Sequence, residues 1–198
     1  QRLMIDPAFR SLPWGRTHLW IVDERRVPFD DERSNFAAIR ELLVDHADIP
    51  SGNVHPIAAV EADADVRYEA ELRETLAWRE KGHDRLDFVL LGMGDDAHTA
   101  SLFPGSGALH ADADRLVVIN EGEGVTPPDR VTMTYTLINA SRFVAVLVIG
   151  EKKRETLKRI EVRDGSQDEL PILGIKPVGG SLRWYLDHAA VAEKPSNR

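Results

Sequence analysis

Cysteine is absent from the 198 residues of the sequence, and its absence excludes several kinds of chemistry at once. The chain can form no disulfide, bind no metal through thiolates and use no cysteine nucleophile. Long hydrophobic runs are missing too, because the apolar run that ends at Ile149 is far too short to cross a bilayer. No secretory signal pattern opens the sequence. We therefore expect a cytoplasmic protein that has no membrane partner.

Positive charge is also scarce, since 25 lysine and arginine residues face 33 aspartate and glutamate residues. The resulting net charge of -8 repels nucleic acid and anionic membranes, so a small anionic ligand would need a local cluster of basic side chains. The composition, 42% hydrophobic and 29% charged, is typical of a globular protein. We expect a single domain over residues 1–198, a monomer or weak homo-oligomer whose partner is a small molecule and not nucleic acid.

Short apolar runs alternate with longer amphipathic segments along the chain, which is typical of an α/β fold. We predict strands over residues 17–23, 86–91, 116–119, 131–135 and 143–149. The run over residues 86–91 is continuously apolar, which suits a parallel strand that is covered on both faces. We predict helices after the N-cap residue Ser34, over residues 63–81 and from Glu151 onward. The apolar spacing predicts these inward-facing residues: Phe36, Ile39, Leu42 and Leu43 in the first helix, Tyr68, Leu72 and Leu76 in the second, and Leu157 and Ile160 in the third. Residues 181–190 fit either a strand that ends at Asp187 or a short helix. The expected architecture is a single domain with a largely parallel, Rossmann-like sheet flanked by helices. Ligands of such sheets bind beyond the carboxyl ends of the strands.

A loop rich in polar side chains follows the predicted strand 86–91. Its glycines, Gly92 and Gly94, let the backbone turn sharply and approach a ligand closely. His98 follows Asp96 by two residues, a spacing that suits a general base whose ring is oriented by a carboxylate. The alternative is purely local, with His98 capping a turn and Asp96 forming an Asx turn. The glycines, the carboxylates and the position at a strand end together favour a function.

Basic residues at three places could gather an anion. Arg25 and Arg26 follow the first predicted strand, where either could hold a phosphate or stabilise an oxyanion, unless this run is simply a solvated loop. Arg130 opens a later strand. Lys152 and Lys153 stand at the start of a helix, where a bound anion would offset their unfavourable interaction with the helix dipole, although spacing alone favours simple exposure.

The sequence contains no pattern that indicates a metal site or a cofactor site. The seven histidines lack the i, i+4 pairing of a helical zinc site, so we expect no metal. No P-loop pattern is present. The dinucleotide-binding pattern is incomplete, because Ala97 stands where its third glycine would fall. We therefore expect no cofactor.

Taken in order, the motifs resemble those of the 6-phosphogluconolactonase family. The chain carries D-E-R-R-V-P over residues 23–28 followed by an S-N pair at residues 34–35, G-D-D-A-H-T-A-S-L-F-P over residues 94–104, R-V-T-M-T over residues 130–134 and G-E-K-K over residues 150–153. The resemblance covers nearly the whole chain, and its histidine-containing block is long and specific. The same superfamily contains the glucosamine-6-phosphate deaminases, but Arg25 and the T-A-S-L-F-P run point to the lactonase branch.

The resemblance implies metal-free hydrolysis of 6-phospho-D-glucono-1,5-lactone to 6-phospho-D-gluconate in the oxidative pentose phosphate pathway. It implies that His98, oriented by Asp96, deprotonates a water molecule and that Arg25 stabilises the anionic intermediate or contacts the substrate. It also implies substrate or phosphate binding by Lys153, Arg130, Asp23 and Gly94. The alternatives are a deaminase or isomerase that acts on an amino sugar phosphate and a non-catalytic relative that binds a sugar phosphate.

Two features depart from the family pattern. Ala97 occupies a position where the family usually has glycine, and a positive φ there would strain alanine by on the order of 1 kcal/mol. The family's N-terminal strand and its glycine loop, which cradles the phosphate, have no counterpart in the sequence. Because the chain also begins with Gln1, we expect it to be N-terminally incomplete.

Overall fold

The strands of this chain form parallel and antiparallel sheets. The computed structural model describes residues 12–76 and 85–191. Its strands are β1 (Leu19–Trp20), β2 (Asp23–Arg25), β3 (Val54–His55), β4 (Val89–Gly92), β5 (Val117–Glu121), β6 (Asp129–Met133), β7 (Phe143–Val148) and β8 (Ser181–Leu186). Its helices are α1 (Asn35–Leu42), α2 (Ala64–Thr75), α3 (Tyr135–Ala140), α4 (Arg154–Glu161) and α5 (His188–Val191).

Parallel pairing links five of these strands, as predicted. β7 pairs in parallel with β4 on one side and with β8 on the other, and β1 pairs in parallel with β3. A three-stranded antiparallel sheet in the order β2-β6-β5, which the sequence did not predict, adds to them. The helices pack with the sheets around a core of buried apolar side chains, so the predicted α/β class is confirmed.

The first predicted strand, residues 17–23, is broken into two. β1 ends at Trp20 and the chain then leaves its partner β3, because β2 pairs antiparallel with β6 instead. The hydroxyl of Tyr68 fills the break, since it accepts from the amide of Ile21 at 2.7 Å and donates to the carbonyl of Ile21 at 3.1 Å. Residues 23–25, which we predicted at the strand end and in the following loop, therefore form a strand of their own.

Helix α1 begins where the sequence predicted. The hydroxyl of Ser34 accepts a hydrogen bond from the amide of Ala37 at 3.0 Å, which confirms Ser34 as the N-cap. Phe36 is buried, whereas Leu42, which we expected on the same inward face, is 62% exposed. That expectation is wrong because Leu42 is the last residue of the helix and lies beyond the part that packs on the core.

Helix α2 covers the first part of the helix predicted over residues 63–81. Tyr68 and Leu72 are buried in the core and Leu76 packs against it, as their spacing predicted. The helix ends at Thr75, and the rest of the predicted helix, from residue 77 onward, lies outside the described residues.

Strand β4 departs from the prediction in one respect. β4 pairs in parallel with β7, as expected. Within the described residues, however, other side chains cover only one face of the apolar run over residues 86–91. Val89 and Leu91 are buried, whereas Phe88 and Leu90 are 58% and 55% exposed. The sheet built by β4, β7 and β8 therefore has one covered face and one face that the described part of the chain leaves open.

The remaining predicted elements shift by a few residues. β5 and β7 lie close to their predicted positions, and β6 ends early because α3 begins at Tyr135. A 3-10 turn over Glu151–Lys153 precedes α4, whose Leu157 and Ile160 pack against the core as predicted. Residues 181–190 contain both alternatives, since β8 is followed by α5. In the described residues no helix is long and apolar enough to cross a membrane.

Glu24 is a buried carboxylate, 1% exposed, that ties β2 to the start of α1. Its oxygens accept hydrogen bonds from the amides of Asn35 at 2.7 Å and Phe36 at 2.8 Å, and from the hydroxyl of Ser34 at 3.0 Å. The amide of Arg25 donates a further bond at 2.8 Å. Negative charge is favourable at a helix N-terminus, so this carboxylate satisfies free helix amides and fixes the backbone of Arg25.

Replacement of Glu24 by glutamine tests this role. Glutamine has an NH2 group, which is a donor, in place of one carboxylate oxygen. Glu24→Gln would therefore place a donor opposite a backbone amide, which is also a donor, and lower the free energy of unfolding by about 1–3 kcal/mol. Urea unfolding of the wild type and the variant measures the change. Glu41→Gln, at an exposed position of α1, is the matched control and should change stability by less than about 0.5 kcal/mol. An equal loss in both variants would contradict the capping role.

Candidate active site

A tight turn after β4, which we call the His98 turn (residues 94–98), brings His98 and Asp96 together. The amide of Gly94 donates to the carbonyl of His98 at 2.8 Å, and the amide of Ala97 donates to the carbonyl of Gly94 at 3.2 Å. The carboxylate of Asp96 lies 2.6 Å from Nδ1 of His98 and accepts from the His98 amide at 3.1 Å. The carboxylate assigns the proton to Nδ1, which leaves Nε2 of the neutral ring as a proton acceptor.

The charge of Asp96 suits this arrangement. Burial raises the pKa of Asp96, but the hydrogen bonds from the side chain and the amide of His98 outweigh that effect. The net pKa of Asp96 lies below its ordinary value, so the carboxylate is ionised at neutral pH. An ionised partner at Nδ1 stabilises the imidazolium that forms once Nε2 accepts a proton. The pair is therefore suited to general-base chemistry.

Backbone strain is stored in the His98 turn. Ala97 has a φ of 66°. We expected alanine to be strained at this position if its φ were positive, and it is. Ala97 is fully buried, and the amide of Ile172 donates to its carbonyl at 3.0 Å, which holds the strained residue in place. Ala100, just after the turn, also has a positive φ, of 50°.

Gly94 is required by the packing of the His98 ring. A Cβ atom at this position would collide with Nδ1 of His98 and with the carboxylate of Asp96. We predicted that Gly94 lets the backbone approach a ligand, and the structure places the His98 side chain against it. The glycine therefore leaves room for the His98–Asp96 pair.

A hydrogen bond from the hydroxyl of Ser101 to Oδ2 of Asp23, at 2.6 Å, joins the segment after the His98 turn to β2. Burial raises the pKa of Asp23, and the effect is only partly offset by Ser101 and by the nearby cations Arg25 and Arg130. Asn35 donates to the carbonyl of Asp23 at 2.7 Å and holds β2 against α1. The two polar segments that the sequence singled out thus lie side by side.

Arg25, and not Arg26, faces the site, a choice that the residues alone left open. Nε of Arg26 donates to the carbonyl of Ala59 at 2.8 Å, and Nη2 donates to the carbonyl of Glu61 at 3.0 Å. These bonds hold Arg26 against another part of the chain. Nη1 of Arg25 donates to the carbonyl of Arg33 at 2.6 Å, and the Arg25 side chain lines both cavities of the site.

Two adjoining cavities open around His98, with volumes of about 310 Å³ and 350 Å³. Both are lined by Asp23, Arg25, His98 and Ala100. The smaller cavity, which we call the Arg130 lobe, is completed by Arg130, Ser101, Phe103, Val125 and Thr126. The larger cavity, which we call the Lys153 lobe, is completed by Lys153, Asn35, Gly92, Met93, Gly94 and Thr99. Arg130 and Lys153, for which the family resemblance implies substrate or phosphate binding, therefore line different lobes.

Arg130 is a buried cation, 5% exposed. Its guanidinium lies over the ring of Phe103, 5.8 Å from the centroid, and Nη1 donates to the carbonyl of Asp129 at 3.1 Å. Burial and the neighbouring charge of Arg25 lower the pKa of Arg130. Two cations held close together in a cavity wall favour an anionic ligand, because the ligand relieves their repulsion.

Lys153 is a paired cation. Its Nζ lies 2.5 Å from Oδ1 of Asp95, a residue of the His98 turn. Lys152, the other basic candidate at this helix start, lines neither cavity. In the part of the chain that the structure describes, no cluster of three or more histidine, aspartate or glutamate side chains could hold a metal ion.

The sequence patterns did not assign every lining residue to the site. Ser101 and Phe103 belong to the T-A-S-L-F-P run, so their motif was a usable signal for a place in the site. Asn35 follows the N-cap residue, and only the resemblance to the family's S-N pair marks it. Val125 and Thr126 come from a loop that no motif marks, and only the tertiary structure brings them to His98.

Comparison with family models identifies the family. The model described as glucosamine-6-phosphate isomerases/6-phosphogluconolactonase matches residues 1–184. The chain belongs to this family, which confirms the resemblance that the motifs indicated.

Named relatives support the same assignment. The 6-phosphogluconolactonase of Synechocystis sp. is 40% identical over 187 residues, which cover 92% of this chain and 75% of that protein. The GDH/6PGL endoplasmic bifunctional protein of Homo sapiens is 38% identical over 191 residues, which cover 92% of this chain but 23% of that protein. The crystal structure of 6-phosphogluconolactonase from Thermotoga maritima matches with a TM-score of 0.74 and 34% identity, over 89% of this chain and 75% of that one. The chain thus spans less than a quarter of the length of the bifunctional relative.

The carboxyl of Asp23, a half-buried residue, predicts a pH-dependent cost to stability. Its pKa is raised in the folded chain, so folding favours the neutral form and the ionised form opposes folding. The stability that the neutral form contributes is complete below the unfolded pKa of about 4 and is lost as the pH rises through the folded pKa. Asp23→Asn mimics the neutral carboxyl and should raise the melting temperature by about 2–4 °C at pH 7 but have little effect near pH 4.

Thermal unfolding of the wild type and Asp23→Asn at both pH values measures this difference. Asp30→Asn, at an exposed carboxylate in the following loop, is the control and should leave the melting temperature unchanged. A gain of the same size at both pH values would contradict a titrating Asp23.

Proposed function

We propose that this chain hydrolyses 6-phospho-D-glucono-1,5-lactone to 6-phospho-D-gluconate, a step of the oxidative pentose phosphate pathway. Family membership and relatives that are named 6-phosphogluconolactonases support the proposal. The observation that carries it is the His98–Asp96 pair, whose ring lines two cavities together with the cations Arg25, Arg130 and Lys153. A base beside several cations fits an ester substrate that carries negative charge.

His98 is the general base of the proposed reaction. Its Nε2 takes a proton from a water molecule as the water oxygen bonds to the carbonyl carbon of the lactone. The π electrons of the carbonyl move to its oxygen, and the tetrahedral intermediate carries negative charge there. Asp96 stays ionised and stabilises the imidazolium that has formed.

Arg25 stabilises the intermediate in this mechanism. Arg25 lines both lobes with His98, and a guanidinium can donate two hydrogen bonds to an oxyanion. When the intermediate collapses, the bond between the carbonyl carbon and the ring oxygen breaks, and the His98 imidazolium returns its proton to that oxygen. The carboxylic acid formed loses its proton to solvent, and His98 is neutral again.

The phosphate is assigned to the Lys153 lobe. Stripping water from a phosphate dianion is costly, and this lobe is the larger one and holds the more exposed cation. Arg130 lines the other lobe, where its charge attracts the phosphate at longer range and adds to that of Arg25. Asp23 accepts a hydrogen bond from a sugar hydroxyl, and Gly94 contributes by leaving room for the His98 ring.

The proposal also includes the ligand, the lack of a metal or cofactor, the compartment and the oligomeric state. The partner is the sugar-phosphate lactone, the reaction uses neither a metal nor a cofactor, and the chain acts in the cytoplasm as a monomer or weak homo-oligomer. The lack of cysteine is compatible with a reducing compartment.

Hydrolysis of freshly prepared 6-phosphogluconolactone, measured above the spontaneous rate, tests the proposal. His98→Asn keeps a polar side chain but removes the base, so the enzymatic rate should fall about a hundred- to ten-thousand-fold. His46→Asn, at an exposed histidine outside both cavities, is the matched control and should keep the wild-type rate. Lack of acceleration by the folded wild type, or full activity of His98→Asn, would reject the proposal. Release of ammonia from glucosamine 6-phosphate would instead favour the deaminase branch.

Gly94→Ala offers a second test, because it removes no reacting group. The added methyl group would push the His98 ring away from Asp96, so kcat should fall about a hundredfold. Gly107→Ala, where the methyl group would meet no atom within 4 Å, is the control. Lactone hydrolysis measures the effect, and the NMR signals of the His98 ring report its displacement. Wild-type activity in Gly94→Ala would contradict the geometry of the pair.

A further inference from the structure

The His98 turn contains a second carboxylate, Asp95, that holds the cation of the Lys153 lobe. Nζ of Lys153 lies 2.5 Å from Oδ1 of Asp95. Lys153 lines the lobe that His98 also lines, whereas Asp95 lines neither lobe. The cation that would meet an anionic ligand is therefore already paired in the free protein.

The backbones of both partners are anchored to α4. Lys153 ends the 3-10 turn that runs into α4, and the hydroxyl of the buried residue Thr156, in α4, donates a hydrogen bond to the carbonyl of Asp95. The side chains differ in their freedom, because Lys153 is 21% exposed and Asp95 is 59% exposed. Rotation of the Asp95 side chain into water thus frees the ammonium without any change in the backbone.

A phosphate dianion and Asp95 would compete for the same ammonium. Two anions beside one cation repel each other, and a dianion repels the carboxylate about twice as strongly as a monoanion at the same distance. When a phosphate binds, the carboxylate either stays beside it and repels it, or turns away and gives up its ion pair. In both cases Asp95 weakens the complex with phosphate.

We propose that Asp95 limits the affinity of this site for phosphorylated ligands. The inference rests on the proposed function, in which the Lys153 lobe takes the phosphate of the lactone. Substrate, product and inorganic phosphate are all held less tightly, while the His98 ring, which pairs with Asp96, keeps its chemistry. The weaker binding matters most for the product, because 6-phosphogluconate retains the phosphate and would otherwise occupy the site after ring opening.

Calorimetric titration of the whole chain with inorganic phosphate and with 6-phosphogluconate tests the role of Asp95. Asp95→Asn keeps the size and polarity of the side chain but removes its charge, so both dissociation constants should fall about twofold to fivefold. KM for the lactone should fall by a similar factor while kcat stays within about twofold of the wild-type value. The gain in affinity should shrink at high salt, because screening weakens the repulsion.

Two further variants separate this role from a general effect of charge. Glu151→Gln removes one negative charge from the same 3-10 turn and leaves the ion pair of Lys153 with Asp95 in place, so phosphate affinity should not change. Lys153→Met removes the cation and should weaken phosphate binding whether or not Asp95 is present.

Equal or weaker phosphate binding by a folded Asp95→Asn would overturn the inference. An equal gain in Glu151→Gln would overturn it too, and so would the absence of measurable phosphate binding in both the wild type and Asp95→Asn. The phosphate titration needs no turnover. Failure of lactone hydrolysis would therefore reject the proposed function, whereas the titration would still decide the role of Asp95.

Discussion

The His98 turn is the constraint on which the site depends. Its backbone hydrogen bonds fold the chain so tightly that Ala97 takes a positive φ and residue 94 has no room for a Cβ atom. The same tightness places Asp96 2.6 Å from Nδ1 of His98, with the ring in the wall of both lobes. The strain persists because buried contacts around the turn, such as the bond from Ile172, determine its shape.

The charged residues of this region fall into two groups, those that stabilise the fold and those that line the cavities. Glu24 is fully buried, but helix amides and a hydroxyl satisfy its oxygens, so it serves the fold. Asp23 and Arg130 line the cavities, and burial shifts the pKa of each toward the neutral form. Side chains whose charge the protein only partly compensates are typical of binding sites, because a ligand supplies the missing interactions.

Features that depend on neighbours along the chain could be predicted from the sequence. The alternation of apolar runs predicted the α/β class, and the N-cap Ser34 is confirmed because its bond reaches only three residues ahead. The His98 turn is equally local, so glycines, carboxylates and histidine at short spacing indicated the pairing of Asp96 with His98. The motifs also indicated the family, since each motif is a short run of residues that fold together.

The sequence by itself thus determined the fold class, the family and the local geometry of the His98–Asp96 pair. Only the tertiary structure decided that β2 leaves β1 to pair with β6, that Arg25 rather than Arg26 faces the site, and that Arg130 and Lys153 line different lobes. These features join segments that are far apart in the chain. Their positions depend on the summed packing of the core, and no short stretch of residues encodes that sum.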